Sequence, residues 1–351
     1  MWVSWQVLLV PFVHIVLAQL HTCRDYHTHP IDPSRGTAHL LFMYADMRAD
    51  AGYVDMVVML TSLVELRSCP IHLHFAVDQH LQSVLNATLH THNISHLKHS
   101  YYSDAAIVEA QQVFESELPA RDISIRKELQ KASPELLPLP KEANKILMLD
   151  FDIMFIRDIC TPYFELVDGL KDAVAFLAPD ASGHYVRSKK QAAYLMPSEY
   201  KWQSSYNGFH TGVVMLQLDK MRESNWTKRY TEMVFHPSRF PQVFLRNKDQ
   251  AIYNMMRRET SPPLVRYMSP SMNFQMCTKE WRSTYVANFG IKNITILHGS
   301  RGAFRRENII LGKLRDLFFY EDGGVQSKAL CYSTRTNISS LIYQSVLDFG
   351  I

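Results

Sequence analysis

Lys145-Ile146-Leu147-Met148-Leu149-Asp150-Phe151-Asp152 decides the reading of this chain. The apolar run predicts a buried strand, and it closes on two carboxylates separated by one residue. Alternate side chains of a strand point to the same face, so Asp150 and Asp152 share one. Two acidic groups placed this way repel unless something positive sits between them. A hard divalent cation meets that need, and oxygen ligands suit Mg²⁺ or Mn²⁺. The open ends of parallel strands are also where α/β sheets hold ligands. The pair is therefore a candidate for gripping the diphosphate of a sugar nucleotide through a cation. The plainer alternative is a solvated strand end.

Similar strands flank this one. Leu40-Leu41-Phe42-Met43-Tyr44 predicts a buried strand ending at Asp46, and Ile71 to Val77 one ending at Asp78. Further strands are expected at Asp172 to Ala178, Gly212 to Leu218 and Lys292 to Leu297, the last running into His298-Gly299. Tyr53 to Leu66 and Ala105 to Leu118 read as helices, the former with apolar residues recurring at three and four, and Asp249 to Met256 as a short one. Strands alternating with helices argue an α/β fold with a mainly parallel central sheet. Residues 181–205 lack periodicity and carry Arg187, Lys189, Lys190 and Lys201, which reads as a long loop or excursion.

Of the 351 residues, 47% are hydrophobic and 20% charged, enough for a packed core and unlike a disordered chain. The net charge of +3 comes without any block of like charges, so nothing points to nucleic acid as a partner. Residues 1–20 contain no Asp, Glu, Lys or Arg, and Val7 to Ala18 has the length of a signal-peptide core. Pro11 and His14 weaken a stable membrane span. A cleaved signal is the expectation, with an uncleaved signal-anchor as the alternative and the one route to a membrane association. Residues 21–38 read as a short stem. Either reading of residues 1–20 places the body in the secretory lumen, in the endoplasmic reticulum or Golgi. Sequons at Asn86, Asn93, Asn225, Asn293 and Asn337 agree with a glycoprotein there. Five cysteines (Cys23, Cys69, Cys160, Cys277, Cys331) show no Cys-x-x-Cys spacing and allow at most two disulfides.

Sixteen histidines give many chances for a false metal site. His72 and His74, on an alternating strand, read as structural. His298 differs: it follows an apolar strand and precedes Gly299-Ser300-Arg301-Gly302. Such a strand end can bring it to the sheet edge that carries Asp150 and Asp152. One imidazole and two carboxylates suit an octahedral cation, with phosphate oxygens and water filling the other positions. Arg301 could then neutralise a leaving diphosphate, and the glycines let backbone approach phosphate. The alternative is an ordinary glycine turn after a strand.

Leu149-Asp150-Phe151-Asp152, Gly208-Phe209-His210-Thr211-Gly212-Val213, Asp249-Gln250-Ala251-Ile252-Tyr253-Asn254 and Leu297-His298-Gly299-Ser300-Arg301-Gly302, in this order, resemble the retaining GT-A glycosyltransferases of family eight. The resemblance covers residues 39–320 as one domain and leaves 321–351 as a C-terminal tail. Tyr101-Tyr102-Ser103-Asp104, Leu218-Asp219-Lys220-Met221-Arg222 and Cys277-Thr278-Lys279-Glu280-Trp281-Arg282 are most similar to the xyloside xylosyltransferases. The closing His298 to Gly302 is more similar to the glucoside xylosyltransferases.

The resemblance implies a set of roles. Asp150, Asp152 and His298 would hold Mn²⁺ (Mg²⁺ being possible), with Asp150 also near the ribose. Met43-Tyr44-Ala45 and Tyr101-Tyr102-Ser103 would line the uridine pocket. His210-Thr211-Gly212 would lie by the donor sugar, Arg301 by the diphosphate, and Asp249 and Gln250, as the catalytic pair, near the sugar's β-face. Three departures from the family pattern fall close to the donor sugar: His210-Thr211 in place of Asn-Ser, Ala251 in place of an acidic residue, and Asn247-Lys248 in place of a Gly-Asp lead-in.

The function implied is transfer of xylose from UDP-xylose onto a xyloside or O-linked glucose carried by an extracellular module such as an EGF-like repeat. Retention can use a carboxylate nucleophile or a same-face reaction in which the leaving phosphate takes the acceptor's proton. Two alternatives stand beside it: a UDP-glucose or other family-eight transferase, and a catalytically silent member that binds glycans or UDP-sugars. A secreted structural glycoprotein with a chance Asp-x-Asp is disfavoured by four co-linear motifs.

Overall fold

A computed structural model of the chain describes residues 30–44, 67–91, 97–103, 131–155, 157–180, 208–235, 248–260, 263–275 and 294–299, with helical residues among 56–66. Ile31–His298 is one compact unit; of the remainder, Met1–Pro30 and Gly299–Ile351, only Pro30 and Gly299 are described. The expected helix at 105–118, the excursion at 181–205 and the N-terminal segment lie outside the described residues.

The elements run β1 (Ala38–Tyr44), β2 (Ile71–Val77), α1 (Gln79–Thr91), β3 (Lys98–Ser103), β4 (Lys145–Leu149), β5 (Ile153–Phe155), α2 (Cys160–Gly169), β6 (Ala175–Pro179), β7 (Phe209–Gln217), α3 (Leu218–Glu223), α4 (Trp226–Phe235), α5 (Lys248–Glu259), β8 (Val265–Tyr267), β9 (Phe274–Gln275) and β10 (Ile296–His298). Seven strands form a sheet in the order β3-β2-β1-β4-β7-β6-β8. β1 pairs in parallel with β2 and β4, β2 with β3, and β6 with β8; only β7 runs against its neighbours β4 and β6. β5, β10 and β9 make a second, small sheet.

The alternation along each strand builds two cores. Leu40, Phe42, Leu73, Phe75, Leu147, Leu149 and Met215 enter one, with Met56, Met59 and Leu60 and with Leu81 and Leu85 of α1. Leu41, Met43, Ile146, Met148, Val214 and Leu216 enter the other, with Trp226 and Tyr230 of α4 and Ile252, Tyr253 and Met256 of α5. A sheet covered on both faces needs such near-continuous apolar strands, and the result is the layered α/β architecture expected.

Two expectations are corrected here. The strand expected at 292–297 is β10, only Ile296–His298, and it lies in the small sheet. It pairs antiparallel with β5, whose three residues limit the ladder. The strand at 212–218 begins earlier, at Phe209, and runs antiparallel. α1, α2, α3 and α4 were not anticipated, nor were β3, β5, β8 and β9. α1 follows Asp78, whose Oδ1 accepts from Leu81 N–H at 2.7 Å. α2 follows Asp158, whose Oδ1 accepts from Cys160 N–H at 3.1 Å. The first is the side-chain cap that helix N-termini use, while Asp158 lies one residue before the N-cap Ile159 and holds the first N–H of α2. Asp158 also accepts from Ser68 N–H and Oγ, beside the disulfide Cys69–Cys160 that bridges 91 residues of sequence. Native disulfides of this kind stabilise small domains by about 2–4 kcal/mol.

The segment before β4 docks on α3 and α4 through Glu135. Its carboxyl is buried and accepts from Thr227 Oγ1, and its carbonyl accepts from Arg222 Nε at 3.1 Å. Burial pushes the carboxyl from 4.5 up to about 7, against the opposing pull of Thr227 and Arg222. Between those values the folded chain keeps a proton that the unfolded chain gives up, so this group's contribution is full below pH 4.5 and is lost as pH rises through 7. Glu135→Gln keeps an acceptor and removes the titration. Its Tm relative to wild type is expected to rise between pH 4.5 and pH 8, and a pH-independent difference in a thermal-denaturation series would contradict this.

Candidate donor and metal site

The sheet's C-terminal edge gathers the site. β4 ends at Leu149, so Asp150, Phe151 and Asp152 form the bend that turns into β5. The two carboxylates converge through that bend and not through alternation within one strand, which corrects the reading above. β5 pairs with β10 so that His298 faces Ile153, one residue from Asp152. His298 Nε2 lies 3.2 Å from Asp152 Oδ1 and 3.8 Å from Asp150 Oδ2. Both carboxylate side chains are 30% exposed while the imidazole is 2% exposed, so the set is open on the carboxylate side. One ligand atom from each of the three residues lies within 4.8 Å of the others. Two carboxylates and one imidazole with open positions fit a Mn²⁺- or Mg²⁺-class cation.

Residues behind His298 fix its ring. Asn273 Oδ1 is 2.9 Å from His298 Nδ1, which can only be satisfied by a proton on Nδ1. That bond aims Nε2 at the carboxylates, the outer-shell arrangement that orients metal-binding histidines. Gly212 leaves the space: a Cβ there would lie 1.9 Å from His298 Cε1 and 2.3 Å from Nδ1. His210 packs edge-on against the same ring with centroids 4.7 Å apart, and its Nδ1 accepts from Gly212 N–H at 3.0 Å. Gly212 sits where β7 carries a register irregularity, with Leu177 opposite Val214 but Ala178 opposite His210. Bulges of this kind re-aim side chains beside functional sites. Because β7 is antiparallel, its beginning meets the ends of β4 and β6, and Asp150 N–H donates to Gly212 O at 2.9 Å.

The charges balance within the cluster. Burial disfavours the Asp152 carboxylate, but the charge and hydrogen bond of His298, with Lys131 beyond, outweigh it and bring Asp152 to about 2. For His298 burial pulls the pKa down, and Asp152 and Asp150 together raise it above 6.5. Burial and the charge of His298 keep His210 well below 6.5, hence neutral. Lys131 Nζ donates to Asp150 Oδ1 at 2.9 Å and adds a positive group to the same face.

A second patch adjoins at the end of β6. Gln250 Nε2 donates to Asp180 Oδ2 at 3.0 Å, and Asp180 N–H to Gly208 O at 2.8 Å. Gly208 has φ +95, and a Cβ there would lie 2.4 Å from Asn254 Oδ1, the atom that accepts from Phe209 N–H. Gln275, paired with His298 across β9 and β10, donates to Pro179 O at 2.8 Å and ties the small sheet to β6.

Asp150, Asp152, His210, Gly212 and His298 are brought together, and Thr211, buried, lies among them in β7. Asp249 and Gln250 open α5, Asp249 buried. Phe42 is level with Leu149, so Met43, buried, and Tyr44 end β1 at this edge, as Ser103 ends β3. Tyr102 instead shares a hydrogen bond of 2.9 Å with His74 Nδ1. Ala45 and Arg301 lie outside the described residues. Sequence reasoning missed Lys131, Asn273 and Asp180 as site residues. Asp180 alone carried a signal, as the polar residue closing a strand.

The chain belongs to glycosyltransferase family 8: the family described as Glycosyl transferase family 8 matches residues 45–299. Its fold is that of GT-A glycosyltransferases. The apo form of mouse Xyloside xylosyltransferase 1 superposes with a TM-score of 0.58 at 21% identity, over 76% of this chain and 98% of that one. The galactosyltransferase LgtC, solved with donor and acceptor sugar analogs, superposes with a TM-score of 0.53 at 15% identity, over 84% and 99%. The Xylosyl- and glucuronyltransferase LARGE2 of Homo sapiens is 27% identical over 226 residues, 63% of this chain and 29% of its own length. The chain thus spans less than a third of that relative.

Gly212→Ala is expected to displace the His298 ring, weakening divalent-cation binding at least tenfold and lowering stability by about 1–3 kcal/mol, as overpacking does. Gly169→Ala, where the new Cβ meets Phe176 at an ordinary 3.4 Å, is the control expected to bind normally. Unchanged cation affinity in Gly212→Ala by calorimetric titration would contradict the assignment.

Proposed function

We propose that the chain transfers a sugar, with retention, from a uridine-diphosphate sugar, xylose being favoured, to a glycan on an extracellular protein module such as an EGF-like repeat. The observation that carries this reading is the convergence of Asp150, Asp152 and His298 at the C-terminal edge of a GT-A sheet. Those three residues would hold the cation, Mn²⁺ first and Mg²⁺ second. Such an ion, when bound, stabilises negative charge on a diphosphate as its bond to the sugar breaks. Lys131 adds positive charge beside Asp150. Asp180 holds the amide of Gln250 in one orientation, which supports a positioning role for Gln250 at the sugar. Asp249, beside it, completes the proposed catalytic pair, and Arg301 is assigned to the diphosphate by the sequence motif alone.

Donor and acceptor rest on similarity. The names Xyloside xylosyltransferase and Xylosyl- and glucuronyltransferase belong to relatives, and both include xylose. A lumenal setting is supported by the disulfide, since such bonds persist in oxidising compartments. Among the described residues no helix is long and apolar enough to cross a membrane. The reading as a silent member rests on His210 and Ala251. Ala251 is buried, and a carboxylate placed there would need a partner.

A screen of UDP-sugars with Mn²⁺ tests the reading: UDP-xylose is expected to be hydrolysed or transferred faster than UDP-glucose. Equal turnover would remove xylose as the donor, and no turnover of any UDP-sugar would favour the silent reading. Asp152→Asn is expected to abolish transfer and weaken Mn²⁺ binding with the fold intact by circular dichroism. Near-normal turnover at wild-type half-saturating Mn²⁺ would refute the metal assignment. His210 is bulkier than the family's Asn and can close the space a glucose hydroxymethyl needs. Since it also abuts His298, the readout is the ratio of kcat/KM for the two donors, expected to shift toward glucose in His210→Asn. An unchanged ratio would remove His210 as the gate.

A further inference from the structure

A second cluster of metal-binding side chains lies within the central sheet, on its α4/α5-covered face. His39 of β1 is level with His72 of β2, and His74 lies two residues further along β2, so all three imidazoles share one face. They are 7%, 4% and 0% exposed. His39 Nδ1 and His74 Nε2 are 3.0 Å apart, and the rings of His72 and His74 have centroids 4.0 Å apart. One nitrogen from each residue lies within 4.8 Å of the others.

Two of the imidazoles are held from outside by hydroxyl groups of β3. Ser100 Oγ is 2.9 Å from His72 Nε2, and Tyr102 OH is 2.9 Å from His74 Nδ1. Those contacts leave Nδ1 of His72 without a hydroxyl partner and turn Nε2 of His74 toward His39 Nδ1. Such outer contacts orient metal-ligating histidines.

The chemistry of the ligand set is specific. A tetrahedral zinc ion with Zn–N of about 2.0–2.1 Å keeps its nitrogens about 3.4 Å apart. The His39–His74 spacing is already close to that, and the third nitrogen, within 4.8 Å of both, must come closer by side-chain rotation for the ion to bind. Burial holds His74 at about 3 and His72 at about 4, and lowers His39, so all three are neutral. The 3.0 Å contact between His39 Nδ1 and His74 Nε2 holds one proton, which must pass to the other nitrogen of its ring before both atoms can bind a metal. Neutral imidazole is the form that binds metal. An all-nitrogen set favours zinc, copper or nickel over the harder Mn²⁺. Lys98 opposes a cation here, whereas Glu142 is the acidic group acting on His39. A hydrogen-bonded His39–His74 pair with His72 packed against it is the competing explanation, and it requires no ion.

We propose that His39, His72 and His74 form a structural site for a zinc-class cation, distinct from the site at Asp150, Asp152 and His298. It would clamp β1 to β2 and, through Ser100 and Tyr102, brace β3. The site is independent of the donor and acceptor assigned above.

The test uses the full chain, stripped with chelator and then dialysed against Zn²⁺. Wild type is expected to retain one more equivalent of zinc than His39→Gln or His74→Gln by elemental analysis. Both variants are expected to keep wild-type Mn²⁺ affinity at the Asp150 site, which shows that they fold. Zn²⁺ is expected to raise the Tm of wild type more than that of either variant. Zinc-edge X-ray absorption of wild type with one equivalent bound is expected to show three imidazole nitrogens and no sulfur or carboxylate. Equal zinc retention in wild type and both variants, or absorption dominated by sulfur or oxygen ligands, would overturn the proposal even if the variants proved unstable.

Discussion

The imidazole of His298 occupies the space in which any side chain on residue 212 would lie. Much of the site depends on that vacancy. It lets β10 run beside β5 with His298 facing Ile153, and so brings a nitrogen ligand next to Asp152. Residue 212 can be placed there because β7 runs antiparallel to β4 and bulges at this point. A parallel β7 would begin at the far edge of the sheet and would not bring Gly212 to His298.

Electrostatics then makes the arrangement tolerable without further partners. Two carboxylates at one bend would repel, but the Lys131 ammonium lies against Asp150, and the carboxylates favour the protonated form of His298 beside Asp152. The same groups that neutralise the pair also give it a use. A cation arriving there competes with a proton for His298 and with the Lys131 ammonium for Asp150, so cation binding is coupled to pH. Asn273 is what keeps the competition orderly, because its carbonyl oxygen commits Nδ1 of His298 and leaves Nε2 to face the carboxylates. Polar atoms buried among such a set are held by the surrounding cores, whose apolar residues enter from both faces of the sheet.

Much of this was legible in the sequence, for reasons that differ by residue. The strand Lys145–Leu149 announced itself by its apolar run and its acidic end. The order of strands and helices gave the fold class, and the four motifs gave the family. The direction of β7 was not legible, because alternation reads the same in parallel and antiparallel strands. Nor was the bend at Asp150–Asp152, since a strand pattern says nothing of where pairing stops. Lys131 and Asn273 carry no local signal: one lies 19 residues from Asp150 and the other 25 from His298, and only the tertiary fold gives them a role. The helices at 79–91 and 160–169 could have been found from Asp78 and Asp158, which are good capping residues just ahead of each. His72 and His74 were read as structural from one strand, and the neighbouring His39 became visible as their companion only once β1 and β2 were paired.

The central claim is that Nε2 of His298 completes a cation site with Asp150 and Asp152. Pulsed electron paramagnetic resonance of Mn²⁺ bound to the protein in the presence of UDP tests it directly. A nitrogen hyperfine coupling from one directly bound imidazole is expected in the wild type, and its loss in His298→Ala. A spectrum with no nitrogen coupling in the wild type, or one that survives the substitution, would contradict the account.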